Sequence, residues 1–432
     1  MEYLLFKPGN SPIARMLIFL PVLLIMLLSS CTDNCETTRT YVYYEPVYQT
    51  TTEIRESFEI LPAQPMRSSG KIYLKGNLLF INEPNEGIHV IDNSNKSNPV
   101  SLAFIKIPGN FDLAAKGNFL YADSFIDLLV IDISDINNVK LEKRIENVFP
   151  MNWGYWSGNE MILVDYVESE IVDIQQDCEG GFEDVLWFSD GRVMTLESAD
   201  FNSTSAAIQQ VGIGGSMARF TITGDYLYTI DEIQLSVFDI LDLADPTLTN
   251  TVEIEWGIET IFPYENKLFI GARNGMHIYD NSNPASPLHA STFLHVRSCD
   301  PVVVQDDLAY VTLRGGFEEC DGFTNQLDVI DVSNINDPVL LATHSMDFPN
   351  GLGIDGSSLF ICEGQFGLKV FDATDPLTIG ENLLHHFEDV NAFDVIPFNN
   401  TLMMIGTDGL YQYDYTDPEN LQLLSIIETS GE

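Results

Sequence analysis

Positive charge is what this sequence has least of. Its 432 residues include 20 Lys and Arg against 64 Asp and Glu, which gives a formal charge of −44 at pH 7. Proteins bind nucleic acid through basic side chains that displace counterions from the phosphates, so this composition argues against nucleic acid as a partner. A surplus of acid could attract cations, but it also keeps a protein soluble, and we take solubility as its main role.

Cysteines and reaction motifs are also scarce. Six cysteines are too few to build a disulfide scaffold, so each has to be interpreted individually. The chain has no phosphate-binding loop, no Gly-x-Ser-x-Gly elbow, no His-Glu-x-x-His and no Cys-x-x-Cys, and its seven histidines are scattered. We therefore assign no catalytic residue, no metal ligand and no cofactor. Ca²⁺ is the one cation that the recurring turn acids described below could bind, although an Asp-x-Asp-x-Asp-Gly loop is missing.

One long apolar run occurs, and it lies near the N-terminus. Residues 16–28 form an apolar stretch of 13 residues that follows Lys7 and Arg15, which is too short for an ordinary membrane span and typical of a signal peptide. The run ends in Leu28-Ser-Ser-Cys31, which resembles the lipobox of bacterial lipoproteins. In that family the cysteine is lipidated and the signal is cut before it. The resemblance implies a signal peptide over residues 1–30 and a lipidated Cys31; an ordinary signal peptide with an incidental cysteine is the alternative.

Two or more acyl chains would give stable anchoring. The expected location is therefore the outer membrane, on its periplasmic side or at the cell surface. The acidic residues after Cys31 resemble the surface-export signals of Bacteroidetes lipoproteins but lack their Lys or Gln followed by paired acids. The side of the membrane stays open.

Residues 31–69 form a lead segment that is rich in tyrosine. Aromatic residues at 41, 43, 44 and 48 are unusual for a free tether, so we expect part of the lead to pack on the following domain. Thr50 and Glu53 have the spacing of a capping box, with Ile54 and Phe58 on one helical face. This pattern predicts a short helix.

The most abundant feature of the chain is an internal repeat. An apolar strand ends in an Asp, a turn of Ser, Asn, Asp and Pro follows, and a second apolar strand begins. The closing aspartates are Asp92, Asp132, Asp239, Asp280, Asp331, Asp372 and Asp414. Successive gaps are 40, 107, 41, 51, 41 and 42 residues, and the gap of 107 predicts one degenerate copy inside it.

A second recurring element is a tight turn followed by an apolar strand. It occurs eight times, starting near residues 76, 117, 158, 224, 266, 306, 356 and 399. Each unit of about 41 residues thus contains four short strands, which we name A to D, and such units are typical of a β-propeller. We predict one propeller over residues 70–430 with eight blades; a seven-bladed ring with one unit recruited elsewhere is the alternative. The first and last units both look complete, so no strand need be shared between the termini.

The closing strands resemble those of the LVIVD-repeat family of propeller proteins, known largely from bacteria. Leu129-Val-Ile-Asp132 and Leu327-Asp-Val-Ile-Asp331 are the clearest examples. The resemblance covers about residues 70–430 and implies the propeller fold. Since that family has no established common reaction, the resemblance transfers no catalytic residue.

Two units contain extra residues. The excess falls after strand B in the unit that begins at residue 158, and between strands B and C at residues 313–325. In a meander the B–C and D–A connections share one end of the blade, so both insertions are expected at that end, the B–C face. Insertions on repeat scaffolds often carry function, although they could also only cover the channel mouth or brace a blade.

This face supplies our binding-face candidates, Arg297, Arg314, Phe317 and Phe323. The two arginines could bind a carboxylate or an acidic sugar, but we favour ion pairs with nearby acids such as Glu318 and Glu319.

The cysteines at 299 and 320 are expected at the same end of one blade. In an oxidising compartment they predict a disulfide between Cys299 and Cys320. Cys362 follows an apolar strand and is expected to be a small buried hydrophobe. Cys35 and Cys178 could pair with each other, but nothing in the spacing shows it.

The sequence therefore favours a membrane-anchored extracytoplasmic propeller that acts as a binding or scaffolding module, with a protein or carbohydrate as its partner. The alternative is an enzyme that works at the channel mouth, for example a lactonase-like or other hydrolase that uses Ca²⁺. A propeller hosts many activities, so the fold alone does not decide between them.

Overall fold

The computed structural model describes residues 37–149, 161–175, 212–296, 298, 301–315 and 324–430. These residues are almost entirely β-structure, with one short α-helix. Seven antiparallel sheets each contain four strands that are consecutive in the chain. The first strands of successive sheets lie side by side, from blade 1 through to blade 7, so strand A of every blade lines the inside of a ring.

The elements have the following bounds. Before the first blade come β1 (Thr37–Thr50), α1 (Thr51–Glu56) and β2 (Glu59–Pro62). Blade 1 contains β3 (Ile72–Lys75), β4 (Leu78–Glu83), β5 (Gly87–Asp92) and β6 (Val100–Lys106). Blade 2 contains β7 (Leu113–Lys116), β8 (Phe119–Ser124), β9 (Asp127–Asp132) and β10 (Lys140–Ile145). Between blades 2 and 3 come β11 (Met161–Gln175) and β12 (Ile213–Gly214). Blade 3 contains β13 (Phe220–Thr223), β14 (Tyr226–Ile230), β15 (Gln234–Asp239) and β16 (Thr247–Glu253).

Blade 4 contains β17 (Ile258–Tyr264), β18 (Lys267–Ala272), β19 (Gly275–Asp280) and β20 (Leu288–Leu294). Blade 5 contains β21 (Val302–Gln305), β22 (Leu308–Leu313), β23 (Gln326–Asp331) and β24 (Val339–Ser345). Blade 6 contains β25 (Leu352–Asp355), β26 (Ser358–Cys362), β27 (Leu368–Asp372), a 3-10 turn (Ile379–Glu381) and β28 (Leu383–Phe387). Blade 7 contains β29 (Ala392–Phe398), β30 (Thr401–Gly406), β31 (Gly409–Asp414) and β32 (Gln422–Glu428).

The predicted four-stranded propeller is confirmed, but the prediction of eight blades is wrong. The ring has seven blades, as in the alternative. The unit that begins at residue 158 supplies a strand, β11, but that strand pairs with β1 in a separate two-stranded sheet. The described residues in the gap of 107 between Asp132 and Asp239 therefore form no additional blade, and the seven closing aspartates gave the correct number.

Alternating side chains hold neighbouring blades together. In blade 4, Leu268 and Ile270 pack among buried residues of blade 3, whereas Phe269 and Ile278 pack among those of blade 5. All four are fully buried. Because burying such a side chain contributes about 1.5–3 kcal/mol, each blade depends on the blade at either side of it for most of its stability.

The closing aspartates all have the same structural role. In each of the seven blades the carboxylate accepts a hydrogen bond from the backbone N–H two residues later, at 2.8–2.9 Å. This is the Asx turn that the sequence predicts, and it connects strand C to strand D. Hydrogen bonds from the side chain and backbone of Ser333 lower the pKa of Asp331, and the pKa values of five of the other six turn aspartates are lowered in the same way.

Blades 1 and 7 close the ring without exchanging a strand. The buried amides of Asn93 and Gln412 hydrogen-bond each other in both directions, at 2.9 and 2.8 Å. Ser69 Oγ donates to the Gly406 carbonyl at 2.5 Å. Each blade therefore has its own four strands, and the seam is formed by these side chains together with a backbone bridge between Met66 and Thr429.

The contacts divide the chain into two compact units. The smaller one holds most of β1 and β11, and the propeller belongs to the larger one. Within the larger unit, the predicted capping box at Thr50 and Glu53 starts α1. Ile54 of this helix packs against Phe125, Ile126 and Ile162. Strand β2 then pairs with β6 as a fifth strand at the outer edge of blade 1.

The turn aspartates predict acid-sensitive stability. A carboxylate whose pKa is lowered by folding stabilises the folded state above its unfolded pKa of about 4, and this contribution is lost as the pH falls through the lower folded value. We expect the urea midpoint of Asp331→Ala to lie below that of the wild type at pH 7, and that of Asp331→Asn, which keeps the acceptor but not the charge, to lie between the two. At pH 3 the wild type and Asp331→Asn should differ less than at pH 7. An Asp331→Ala midpoint equal to that of the wild type at pH 7 would show that the turn does not need this side chain.

Candidate binding face of blades 4 and 5

Two arginines occupy the same repeat position in neighbouring blades. Arg273 and Arg314 are each the first residue after strand B, in blades 4 and 5 respectively, so both lie at the B–C face. Arg314 is 5% exposed, and its guanidinium lies 5.4 Å from the ring centroid of Phe348. A guanidinium buried in this way is not an exposed anion-binding group. Its stacking on an aromatic ring instead fixes the connection between blades 5 and 6.

The other predicted residues of this face lie outside the described residues. These are Arg297, Phe317 and Phe323, together with the two cysteines of the proposed disulfide, Cys299 and Cys320. The insertion itself falls between β22 and β23, which is the B–C connection that the sequence predicts. Cys31, Cys35 and Cys178 also lie outside the described part of the chain. Cys362 is a free, fully buried thiol whose pKa is raised by burial, as predicted.

Arg273 supports an exposed aromatic ring. Its guanidinium lies 4.8 Å from the ring centroid of Trp256, which is 55% exposed. Arg273 Nε also donates to Glu259 Oε1 at 2.8 Å, and that carboxylate is buried. The backbone N–H of Arg273 donates to the Gly257 carbonyl at 3.0 Å. The B–C turn of blade 4 thus holds Trp256 from below, in the connection that enters this blade.

Polar groups surround this tryptophan. Asn274 Nδ2 donates to Glu255 Oε2 at 2.8 Å, which positions an exposed carboxylate next to the ring. The buried His277 binds the hydroxyl of Thr292 through Nδ1 at 2.9 Å. Its Nε2 and Asn274 Oδ1 are buried and have no hydrogen-bond partner among the described residues. Burial lowers the pKa of His277, so the imidazole is neutral at pH 7.

The equivalent histidine of blade 1 shows what blade 4 lacks. As the repeat predicts, His89 and His277 occupy the same position in strand C. Nε2 of His89 binds Glu83 at 2.7 Å, and Glu83 in turn accepts from Arg67. Blade 4 has Ala272 at the position of Glu83, so the partner of the histidine is lost.

Residues 212–218, which we call the axial segment, cross the channel below the B–C face. Its residues Ile213 and Gly214 pair with the inner strand of blade 1. At its two ends, Gly212 N–H donates to a carbonyl of blade 2 and the Ala218 carbonyl accepts from the backbone of blade 4. The axial segment therefore gives partners to inner strands on several sides of the ring, and it closes the channel at this level.

Ser216 fastens the axial segment to blades 6 and 7. Its Oγ donates to Asp394 Oδ1 at 3.0 Å and accepts from Leu352 N–H at 2.8 Å. Gly215 lies so close to the same carboxylate that a Cβ would come within 1.8 Å of Asp394 Oδ2. A small residue is therefore required there.

A buried acid of blade 2 binds the backbone directly after the axial segment. Asp112 pairs with Lys71 at 3.1 Å, and its Oδ2 accepts the backbone N–H of Arg219 at 2.5 Å. Nearby Asp123 accepts from the backbone of Asp112 at 3.0 Å and from Asn110 Nδ2 at 2.7 Å. Burial, reinforced by the neighbouring Asp112 charge, raises the pKa of Asp123 to about 7. These acids serve the folding of the channel wall.

The opposite end of the channel holds a cavity of about 250 Å³. It is lined by inner strands and A–B turns of blades 4 to 7, including Gln305, Asp355, Phe398, Asn399 and Asn400. Two of these polar groups already have partners. Asp355 Oδ2 accepts the hydroxyl of Tyr415 at 2.6 Å, and the Gln305 amide bonds to the backbone of Gly356.

Among the described residues, no group of three or more His, Cys, Asp or Glu side chains is placed to hold a metal ion. The expectation that the protein uses no cofactor stays a prediction, as does the Ca²⁺ alternative. Likewise, none of the helices in the described ranges is both long enough and apolar enough to span a membrane.

Trp256 and the axial segment are the features of this face that sequence reasoning missed. A single aromatic residue in a connection has no periodic signal. The run Gly212-Ile-Gly-Gly215 was a usable signal, because small residues in sequence often mark a close approach of backbones.

The fold defines this chain as a seven-bladed β-propeller. LVIVD repeats run along it, over residues 66–104, 110–145, 214–253, 261–294 and 297–344, in agreement with the LVIVD-repeat propeller family. These matches correspond to blades 1 to 5. They confirm the family resemblance seen in the closing strands.

Solved structures share the fold at low sequence identity. A protein from Lactobacillus plantarum is 12% identical, with a TM-score of 0.50 over 84% of this chain and 97% of that chain. The computationally designed Ika8 protein is 10% identical, with a TM-score of 0.49 over 83% and 87% of the two chains. Sqt1 from Saccharomyces cerevisiae is 9% identical, with a TM-score of 0.49 over 83% and 85%. The likeness to the Lactobacillus plantarum protein concerns the fold alone. No curated protein sequence matches the chain.

The axial segment predicts a stability cost for Ser216→Ala. The change leaves the buried Leu352 N–H without its acceptor and removes a donor to Asp394, so it should lower the free energy of unfolding by about 1–3 kcal/mol. Equilibrium urea unfolding measures this. Ser97→Ala is the matched control, because Ser97 is exposed and only its backbone is hydrogen-bonded in the turn. Equal midpoints for the two variants would show that Ser216 does not fasten the segment.

The buried Asp123 predicts a pH dependence of the opposite sign to that of the turn aspartates. Its folded pKa is raised, so between about pH 4 and pH 7 the folded state binds a proton that the unfolded state has released, and stability falls as the pH rises. Asp123→Asn keeps the acceptor oxygen and should lack this fall in urea unfolding measured from pH 4 to pH 7. Asp331→Asn serves as the control, because its effect should lie below this range. A variant that follows the wild-type slope would contradict the assignment.

Proposed function

We propose that this protein is a membrane-anchored, extracytoplasmic binding or scaffolding module of bacterial origin that uses the B–C face of its propeller. The fold and the LVIVD repeats fit a binding or scaffold module. The proposal of an anchor comes from the signal-like N-terminus and Cys31. Its partner is a protein or a carbohydrate.

The observation that supports this proposal is the structural role of the acidic side chains at the channel. Asp394 is buried and accepts a hydrogen bond from Ser216 of the axial segment, and the buried Asp112 accepts from Arg219 directly after it, so both carboxylates serve the structure of the ring. The B–C face then offers loops, an exposed Trp256 and the insertion that precedes β23. This arrangement suits recognition of a partner surface more than chemistry in the channel.

The second candidate function is hydrolysis at the channel mouth. It is favoured by the cavity at the opposite end, where Asp355 faces two asparagines in the A–B turn of blade 7. A metal analysis of the purified full-length protein would distinguish the two functions. One Ca²⁺ per chain, lost together with hydrolytic activity in Asp355→Asn, would favour the enzyme.

Capture of partners tests the binding function directly. The full-length lipidated chain would be purified from detergent-solubilised membranes after chemical crosslinking, and co-purified proteins and glycans would be identified. We expect a stoichiometric partner that a deletion of residues 316–323 reduces. Recovery of the chain alone, across several detergents, would argue against a scaffold.

The anchor predicts the behaviour of Cys31→Ser. This variant cannot be acylated, so it should leave the membrane fraction, whereas the wild type should stay in it because two or more acyl chains give stable anchoring. Fractionation with mass spectrometry of the N-terminal peptide measures both location and lipid. Cys35→Ser is the matched control, since Cys35 does not follow the apolar run directly. Release of both variants, or an unmodified Cys31 in the wild type, would contradict the proposal.

A further inference from the structure

Trp256 is held as a rigid platform with one side open. Arg273 occupies one side of the ring at 4.8 Å and is itself fixed by the buried Glu259 at 2.8 Å. The next residue, Gly257, donates its N–H to the Glu232 carbonyl at 2.8 Å and accepts the Arg273 N–H. More than half of the tryptophan surface is nevertheless exposed. A large aromatic side chain that is fixed before binding loses little entropy on contact, which is typical of the central residues of interfaces.

The surroundings of this platform are unusually acidic, even for this chain. Residues 220–266, which form blade 3 and the start of blade 4, contain ten Asp and Glu and no Lys or Arg. Glu253, the last residue of β16, and Glu255, in the connection that carries Trp256, are both exposed. Since Glu259 neutralises Arg273, the cation under the ring does not offset these charges.

Two buried polar atoms near Glu255 lack a hydrogen-bond partner among the described residues. Asn274 Oδ1 is buried without a partner, and its amide nitrogen is already used to position Glu255. His277 is 4% exposed, and its Nε2 also has no partner in the described part of the chain. The charge that is exposed beside the ring is the carboxylate of Glu255, so a positively charged partner fits this surface better than an anion.

From this geometry we propose that Trp256 and the carboxylates beside it form a binding site for a basic segment of a partner protein, with a Lys or Arg side chain on the open side of the ring. The ring attracts a cation through its negative face, and the exposed Glu255, held by Asn274, can pair with the same charge. The proposal rests on the binding function above and specifies its partner. It differs from the alternative considered for the arginines of this face, which was recognition of a carboxylate or an acidic sugar.

The test uses the full-length protein in detergent and a labelled Lys-Gly-Lys-Gly-Lys peptide, with fluorescence anisotropy at constant salt. Trp256→Ala leaves the net charge unchanged, so any loss of affinity isolates the ring from the general attraction of an acidic protein. We expect about 5- to 30-fold weaker binding for Trp256→Ala, in the range of a cation–π contact, and a smaller loss for Trp256→Phe. Leu288→Ala, at an equally exposed residue of the outer strand of blade 4, should bind as the wild type does.

Charge is tested separately from the ring. Glu255→Gln should weaken peptide binding a few-fold, and Glu388→Gln, the same change at an exposed carboxylate of blade 6, should not. A peptide with acetylated lysines should bind at least tenfold more weakly than the free peptide. Circular dichroism of each variant confirms that it is folded.

Three outcomes would overturn this site. Equal affinity of Trp256→Ala and the wild type would show attraction by bulk charge only. Equal binding of the acetylated peptide would show apolar stacking without a cation. Displacement of the peptide by a neutral oligosaccharide, with loss of oligosaccharide binding in Trp256→Ala, would show a sugar platform. If instead the crosslinked partner is still captured by Trp256→Ala, the binding function stands and its site lies elsewhere on the face.

Discussion

Everything in this protein depends on the fact that a four-stranded sheet has two apolar faces and can cover neither by itself. Leu268 and Ile270 need blade 3, and Phe269 and Ile278 need blade 5. Every blade has two apolar faces to cover in this way, so the sheets must continue until the ring closes. Closure happens after seven blades, at a seam where Asn93 and Gln412 bond each other through their amides. The apolar residues are thereby committed to packing, and recognition is left to the connections at the two ends.

A ring of sheets creates a second problem at its axis, because the inner edge of every strand A has backbone groups that face the channel. The axial segment answers it by bringing its own backbone and Ser216 to strands of several blades. Buried carboxylates such as Asp394 then become acceptors for this segment. Since each buried donor or acceptor without a partner costs about 1–3 kcal/mol, the segment and the acids stabilise each other. The axial segment is thus part of the core of the ring, even though it belongs to the least repetitive stretch of the sequence.

The repeat made most of the fold predictable, and its failures have physical reasons. The closing aspartates count blades correctly because an Asx turn is needed wherever strand C meets strand D. Counting apolar strands gave one blade too many, because alternation predicts a strand without predicting the strand that it pairs with. The strand that starts at Met161 has a suitable pattern, but Ile162 is buried against α1 and the B–C turn of blade 2. Trp256 was not predictable at all, since an aromatic residue in a connection has neither period nor turn chemistry. The equivalence of Arg273 and Arg314 could have been found by aligning the repeats residue by residue.

That equivalence changes how the few cations of this chain are understood. In an acid-rich protein an arginine near a loop suggests an anion-binding site, because an unpaired positive charge would stand out among the acids. Here Arg314 is buried over Phe348, and Arg273 lies between a buried glutamate and Trp256. Guanidinium groups are well suited to this role, because they stack on rings with a flat face while donating hydrogen bonds in their plane. Arg273 and Arg314 therefore fix aromatic side chains at this face. An aromatic ring among carboxylates remains exposed to a partner.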